Sequence, residues 1–564
     1  MITAKRRISI KAMWAIATLV LMLLILAGMP AEGTETPAAT DPTTAGQPAA
    51  SGSTSGAGTT DGNRSMDTLH MVGRALSTVM QNPCTPLAPR DAVYAGIHGM
   101  FRTLDPYTQF LDETSFDYMR AQQQGSFYGI GISFDVRDGE LLVVAPIEGS
   151  PAWELGIRAG DVIAEIEGES TAGITTNDVI TQLRGEKGST VRIGIRRKGE
   201  SDLMHFDITR EKIVLNSVRG GFFVAPGTGY IRLTEFSSTT YDELVTKLNE
   251  LHRNGMERLI MDLRFNGGGL LVAAEQVSSL FLSRDQTIVS TRGRMDGSET
   301  VLRAREDGKY KELPLIVLVN ESSASASEIV AGAIQDHDRG LVLGTETHGK
   351  GLVGSQFQTR LETAAQITTA QYFTPSGRFI QRPFNIPHRE TILPMAQLKD
   401  NGRDIHATDT GRKVYGGGGI TPDIIVEEPI LSPVMFRLEA DRSFFDFAVN
   451  RKLSLGSIDE SFTVDDALLE SFFAYVTEKY PELDPAKLQE ESPTIRTAVQ
   501  REMIGVYVNL DASDRIRVLE LEGIKKALTI FPEIGSYLTP SSSGPDSSLS
   551  SLSSVSSGSS VPTP

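Results

Sequence analysis

The sequence predicts a multidomain α+β chain: N-terminal helices, a small β module, an α/β core and a C-terminal helical extension. Three changes of pattern carry that prediction. Apolar residues recur at helical spacing between Ser65 and about Gln124, and from Gly125 to about Lys212 they alternate in short runs between glycine turns. After Val214, continuous apolar runs such as Leu315–Val319, which suit strands buried on both faces, alternate with helical spacing. Beyond about Pro429 only helical spacing remains.

The elements follow in order. Leu69, Val72, Leu76 and Met80, then Val93, Ile97 and Phe101, mark helices in residues 65–124, a region expected to pack or dimerise, which ends in Leu104-Asp105-Pro106-Tyr107-Thr108. In residues 125–212, Tyr128-Gly129-Ile130-Gly131 leads into Ile132-Ser133-Phe134, and an Asp138-Gly139 turn precedes Leu141–Val144. Residues 213–429 hold a strand at Gly229–Leu233, a helix from Asp242 to His252 and a buried strand from Arg258 to Arg264. Residues 430–539 give helices around Phe444–Phe447, from Leu468 to Tyr475, and from Ile516 to Leu528.

The two ends differ in composition. Lys5, Arg6, Arg7 and Lys11 precede an apolar run from Ala12 to Met29, which as a helix spans roughly 27 Å. Residues 1–31 are therefore expected to be an export segment, either a signal peptide or an uncleaved membrane anchor with its positive end in the cytoplasm. Residues 32–64, rich in Thr, Ala, Gly, Ser and Pro, read as a flexible linker, and the Ser-rich residues 540–564 as a disordered tail.

Composition excludes several function classes. The formal net charge is −17, and no basic block lies outside the first dozen residues, which argues against nucleic-acid binding. The single cysteine, Cys84, rules out an internal disulfide framework or a cysteine-rich metal site. Eight scattered histidines show no zinc-protease pairing, and no cofactor or metal is implied.

Chemistry concentrates in Ser323-Ala324-Ser325-Ala326-Ser327-Glu328 and in Gly349-Lys350-Gly351. Ser325 sits where the buried run Leu315–Val319 turns into a helix, a place where a hydroxyl can point outward beside free helix-start amides. Ser325-x-x-Glu328 is also the pattern of a capping box. Lys350 between two glycines has room for a substrate backbone. To serve as a base near neutral pH it must lose about three units from roughly 10.4, about 4 kcal/mol, which desolvation can supply. A third element, Asn266-Gly267-Gly268-Gly269, lies between strand and helix and suits an anion or an oxyanion hole. Its spacing does not fit a dinucleotide fingerprint.

The order of elements in residues 125–212 resembles a PDZ domain, a β-sandwich-like module that receives protein C-termini by strand addition. That resemblance assigns Gly129, Ile130 and Gly131 to the loop that binds a terminal carboxylate. From about Leu104 to Glu427 the chain resembles the carboxy-terminal processing, or tail-specific, serine proteases. The resemblance rests on Leu104-Asp105-Pro106, the PDZ module, Asp262-Leu263-Arg264-x-Asn266-x-Gly268-Gly269, the serine cluster and Gly349-Lys350-Gly351. It also includes Tyr372-Phe373-Thr374-Pro375-Ser376-Gly377-Arg378 and Gly418-Gly419-Ile420-Thr421-Pro422-Asp423.

The resemblance implies an α/β protease core of crotonase/Clp-protease-like type with a glycine-loop oxyanion hole. Ser325 is then the nucleophile, Lys350 the general base, and Ala326, Gly269 and Gly268 the oxyanion hole. It further implies protein substrates held by their C-termini, a bacterial envelope location (periplasmic or otherwise extracytoplasmic, at the inner membrane if the anchor is retained), and leaves a homo-oligomer open.

Three departures from the family pattern stand out. Gly354 replaces a lysine-orienting glutamine, Gly267 a common proline, and His348 a usual aromatic residue. Strand alternation puts Gln356 on the face of position 354, making it the candidate substitute. Arg184, in a polar turn of the PDZ module, is a candidate relay of ligand occupancy, with a solvated turn residue as the plainer reading. The departure at Gly354 also admits a second function: an inactive scaffold that binds protein tails. A third, an acyl-CoA enzyme on a related core, leaves the PDZ module unexplained.

Overall fold

A computed structural model describes residues 60–82, 85, 87–137, 139–295, 297–359, 362–384, 404–452 and 455–539. The expected export segment, nearly all of the linker and the Ser-rich tail lie outside these residues. Among the described residues no helix is long and apolar enough to cross a membrane.

The helix Thr60–Gln81 belongs to a compact unit of its own, ending at Pro83, and its Leu69 and Val72 are exposed. All that follows concerns the second unit, from Cys84 onward.

The core is built on a six-stranded sheet with the order Val218–Ala225, Thr228–Leu233, Arg258–Asp262, Leu315–Val319, Leu341–Gly344, Ile424–Ile425. The first pair is antiparallel and the rest are parallel. Parallel strands are covered on both faces, which is why Leu315–Val319 is apolar and buried at every position. One face packs Leu244, Leu248 and Val277 from two helices, together with the helix Ala326–Asp336. The other face packs Ile524, Ala527 and Phe531 of the C-terminal extension.

A second, antiparallel sheet holds Leu352–Gln358, Ala364–Phe373, Thr287–Gly293 and Thr300–Arg303. Its outer strand is Gln109–Leu111, which pairs with Ala364–Phe373. The segment after Leu104, expected to close a helical region, therefore adds a strand to this second sheet.

The β module is a five-strand path, Ile132–Arg137, Glu140–Pro146, Val162–Ile166, Thr190–Arg196 and Met204–Thr209, flanked by the helix Thr176–Leu183. Ser126–Gly129 pairs antiparallel with Glu211–Val214, so the chain leaves and rejoins the core at one place.

The C-terminal extension has one apolar cluster, around Phe444, Phe447 and Phe472, that also takes in Leu142, Val144 and Ala159 of the β module. Arg137 and Asp135 of the module face Asp446 and Arg442 of the extension, each pair at 3.4 Å. The extension thus touches both the module and the core sheet. The helical spacing from Ile516 to Leu528 conceals a break: two helices, Leu510–Glu520 and Glu522–Ile530, meet at Leu521, whose ψ of 132° is extended.

Candidate active site

Ser325 occupies the turn between Leu315–Val319 and Ala326–Asp336, with φ 55° and ψ −112°. A non-glycine residue held there costs about 1–3 kcal/mol, supplied by the buried elements on either side. The neighbouring serines are spent internally. Ser323 Oγ donates to Leu263 O at 2.8 Å, and Ser327 Oγ donates to Asn266 O at 2.9 Å, while both side chains are fully buried. Ser325 alone of the three is half-exposed.

The glycine loop is braced against this turn by Asn266. Its side chain donates to Leu233 O at 3.0 Å, and its carbonyl accepts from Ala324 N–H at 3.0 Å. Gly268 has φ 106°, and a Cβ there would stand 2.8 Å from both Ser325 Cβ and Ala324 O. Gly269 has φ 145° and equally no room, its Cβ position lying 2.1 Å from Phe236 O. Among the described residues, the N–H groups of Gly269 and Ala326 have no protein acceptor. Gly268 departs from its expected part: its N–H is donated to Asn266 Oδ1 at 2.9 Å, so its contribution is clearance rather than a donor.

The Ser325 turn and the lysine loop are joined through Glu328, which is wholly buried. Its Oε2 accepts from Ser325 N–H at 2.8 Å and from Lys350 N–H at 2.9 Å, and its Oε1 accepts from Thr347 Oγ1 at 2.6 Å and Gly349 N–H at 2.7 Å. Burial pushes this carboxyl up to about 7 against the lowering effect of those four donors. Tyr372 makes a second bridge, its hydroxyl reaching Ser325 O at 3.2 Å and Lys350 O. The capping pattern of the sequence is thus one part of a larger clamp.

The Lys350 side chain is half-buried. Burial drives its ammonium below the ordinary lysine range, opposed by the negative charges of Glu328 and Asp105. No hydrogen bond joins Nζ to Ser325 Oγ; Nζ lies 5.1 Å from the centre of the Tyr107 ring. Such catalytic contacts commonly tighten only with substrate bound.

Gln356 is not brought to the lysine. It is exposed, and its amide donates to Met119 Sδ at 3.2 Å. Gln356 does share the face of Gly354, since the register shift against Ala364–Phe373 falls before both, but on that face Gln366, held by Gln109 at 2.8 Å, covers Gly354.

In the β module, Gly129 ends a strand beside Glu211 and is bridged to Arg184. The Ile130 side chain is buried in the module core. Gly131, at φ 79°, turns the chain; its N–H has no protein acceptor among the described residues, and its Cβ position lies 2.2 Å from Ser150 Cβ. Gly131 thus presents an open amide. A cleft of about 1330 Å³ begins here, lined by Ile130, Ile132, Phe134, Ile180 and Leu183, and extends to Thr234 and Glu235 of the core.

Arg184 is not a solvated turn residue. Its guanidinium lies 4.1 Å from the Phe127 ring centre and 5.4 Å from that of Tyr118. Asn266, Tyr372, Tyr107 and the clamp made by Glu328 went unassigned in the sequence, because their partners are distant in the chain.

The profile of peptidase family S41 matches residues 227–390, and that of the PDZ domain matches residues 142–197. The chain is 35% identical over 338 residues to the carboxy-terminal-processing protease of Bartonella bacilliformis, covering 59% of this chain and 69% of that one. It is 36% identical over 318 residues to the carboxyl-terminal-processing protease of a Picosynechococcus species, covering 56% and 76%. Among solved structures it matches a photosystem II D1 C-terminal processing protease at 28% identity and a TM-score of 0.33, over 62% of this chain and 85% of that one.

Proposed function

Since this chain belongs to the carboxy-terminal-processing serine proteases of peptidase family S41 and carries a PDZ domain, we propose that it cleaves proteins captured by their C-termini through a Ser325–Lys350 acyl-enzyme mechanism. The observation that carries the reading is the single oxygen, Glu328 Oε2, that accepts both the Ser325 and the Lys350 backbone N–H. Two segments of the chain are fastened to one atom, which supports reading Ser325 and Lys350 as a pair.

In the proposed reaction Ser325 Oγ attacks the peptide carbonyl and its proton passes to Lys350 Nζ. The carbonyl oxygen, now negative, lies against the open amides of Gly269 and Ala326. The lysine returns the proton to the departing amine, and water then releases the acyl group. Gly131 and the cleft beside it, apolar where Ile130, Ile132, Phe134, Ile180 and Leu183 line it, receive the substrate tail.

The test uses the purified full chain and its Ser325→Ala variant with a carboxymethylated, permanently unfolded protein ending in leucines. Wild type is expected to cleave it and the variant to be slower by at least about 10³-fold, with tail binding equal in both. Binding without cleavage in both proteins contradicts the proposal and supports the scaffold.

A further inference from the structure

Gly354 leaves open what orients the lysine, and the structure supplies a group from elsewhere in the chain. Lys350 Nζ stands over the Tyr107 ring, within the range at which an aromatic face attracts a cation. Tyr107 is itself mounted with care. The carboxylate of Asp105 accepts from Tyr107 N–H and Thr108 N–H, both at 2.8 Å, and from the hydroxyls of Thr108 and Thr368 at 2.7 and 3.1 Å. These bonds dock the turn on the Ala364–Phe373 strand. Gln381 binds the Tyr107 hydroxyl at 3.3 Å while its Oε1 accepts Gly351 N–H at 2.9 Å, so ring and lysine loop share a support. Phe384 meets the ring edge-on at 5.9 Å.

We propose that Tyr107 is the positioning residue of the Lys350 base: its ring face aims the amine and stabilises the ammonium formed when the lysine accepts the Ser325 proton. The inference rests on the Ser325–Lys350 reading. As the serine oxygen bonds to the peptide carbonyl carbon, its O–H bond breaks and the proton goes to Nζ, so positive charge develops beside the ring. A preformed electron-rich face stabilises that charge without reorganisation. The ring face, over which Nζ stands, does this, while the hydroxyl accepts from the Gln381 amide. The other charged or titratable groups facing Nζ are Glu328 on the nucleophile helix and Asp105 on the tyrosine turn, both favouring the cation, with His348 and Arg382 close to the lysine loop.

The experiment replaces Tyr107 in the full chain by Phe, by phenylalanines of increasing fluorine content, and by Leu, with Lys350→Ala as control. Fluorination keeps the shape of the ring while draining electron density from its face. Tyr107→Phe is expected to hold kcat within about threefold of wild type. The fluorinated series is expected to lower the high-pH plateau of kcat stepwise, to about tenfold, with KM within about twofold. The acid limb of the pH profile is expected to move to lower pH along the series, because a poorer ring favours the cation less and so lowers the lysine pKa.

Tyr107→Leu is expected to fall at least as far as the most fluorinated ring; if it fails to fold, the series alone decides. A fluorinated series with unchanged kcat and acid limb overturns the proposal, as does a Phe variant as impaired as the most fluorinated one. If Lys350→Ala keeps wild-type activity, the Ser–Lys reading itself fails, whatever Tyr107 does.

Discussion

Two glycine turns in this protein offer backbone amides to a ligand, and they are finished to different degrees. In the protease turn, Gly269 and Ala326 are both open, Ser325 is held at an unusual φ and ψ between them, and Asn266 and Glu328 fasten every neighbouring segment. In the PDZ turn Gly131 is open, but its neighbour Gly129 is bridged to Arg184 at the end of the helix Thr176–Leu183. A transient oxyanion needs donors fixed in advance, because reorganisation during the reaction adds to the barrier. A substrate tail carries a permanent charge and can spend binding energy on opening its site. We therefore propose that the rigid turn serves chemistry and the bridged turn serves recognition.

Placing the same substitution in each turn separates them most strongly. In Gly268→Ala the new Cβ meets Ser325 Cβ and Ala324 O at 2.8 Å. We expect kcat to fall about 10²–10³-fold, the size of losing an oxyanion donor, with tail affinity unchanged. Gly131→Ala drives a Cβ into Ser150 at 2.2 Å. There we expect tail affinity to fall about tenfold or more, with kcat at saturating substrate within about threefold. Steady-state kinetics and fluorescence polarisation of a labelled C-terminal peptide read both. Equal effects of the two substitutions on kcat would dissolve the distinction.

The smaller effect concerns how the two turns communicate. Arg184 joins the Gly129 bridge to Tyr118 on the helix Glu113–Gln124, whose Gln123 carbonyl accepts Ser238 N–H of the core at 2.8 Å. We propose that tail occupancy reaches the protease through this arginine. A C-terminal peptide should then stimulate wild type a few-fold and leave Arg184→Ala at its basal rate. Equal stimulation of both removes the relay.

What the sequence made legible follows the range of the interactions concerned. The strand Leu315–Val319 and the helix starting at Ala326 are local periodicities and stand where the pattern puts them. Ser325 is singled out by its place at their junction. Gln356 shares the face of Gly354 as alternation puts it, but alternation takes no account of Gln366 covering Gly354, nor of Met119 arriving from the helix Glu113–Gln124. Glu328 reads as a local cap, while three of its four donors come from Thr347, Gly349 and Lys350. Tyr107 lies in a motif whose fold, leading into an added strand on the antiparallel sheet, shows only when Ala364–Phe373 is there to receive it.

The central claim, that Ser325 is the nucleophile, is tested most directly by labelling the active protein with a phosphonyl fluoride and mapping the adduct by mass spectrometry, beside Ser325→Ala. One inactivating adduct is expected, on Ser325, and none on this cluster in the variant. Inactivation with the adduct on Ser323 or Ser327, or wild-type turnover by Ser325→Ala, would contradict it.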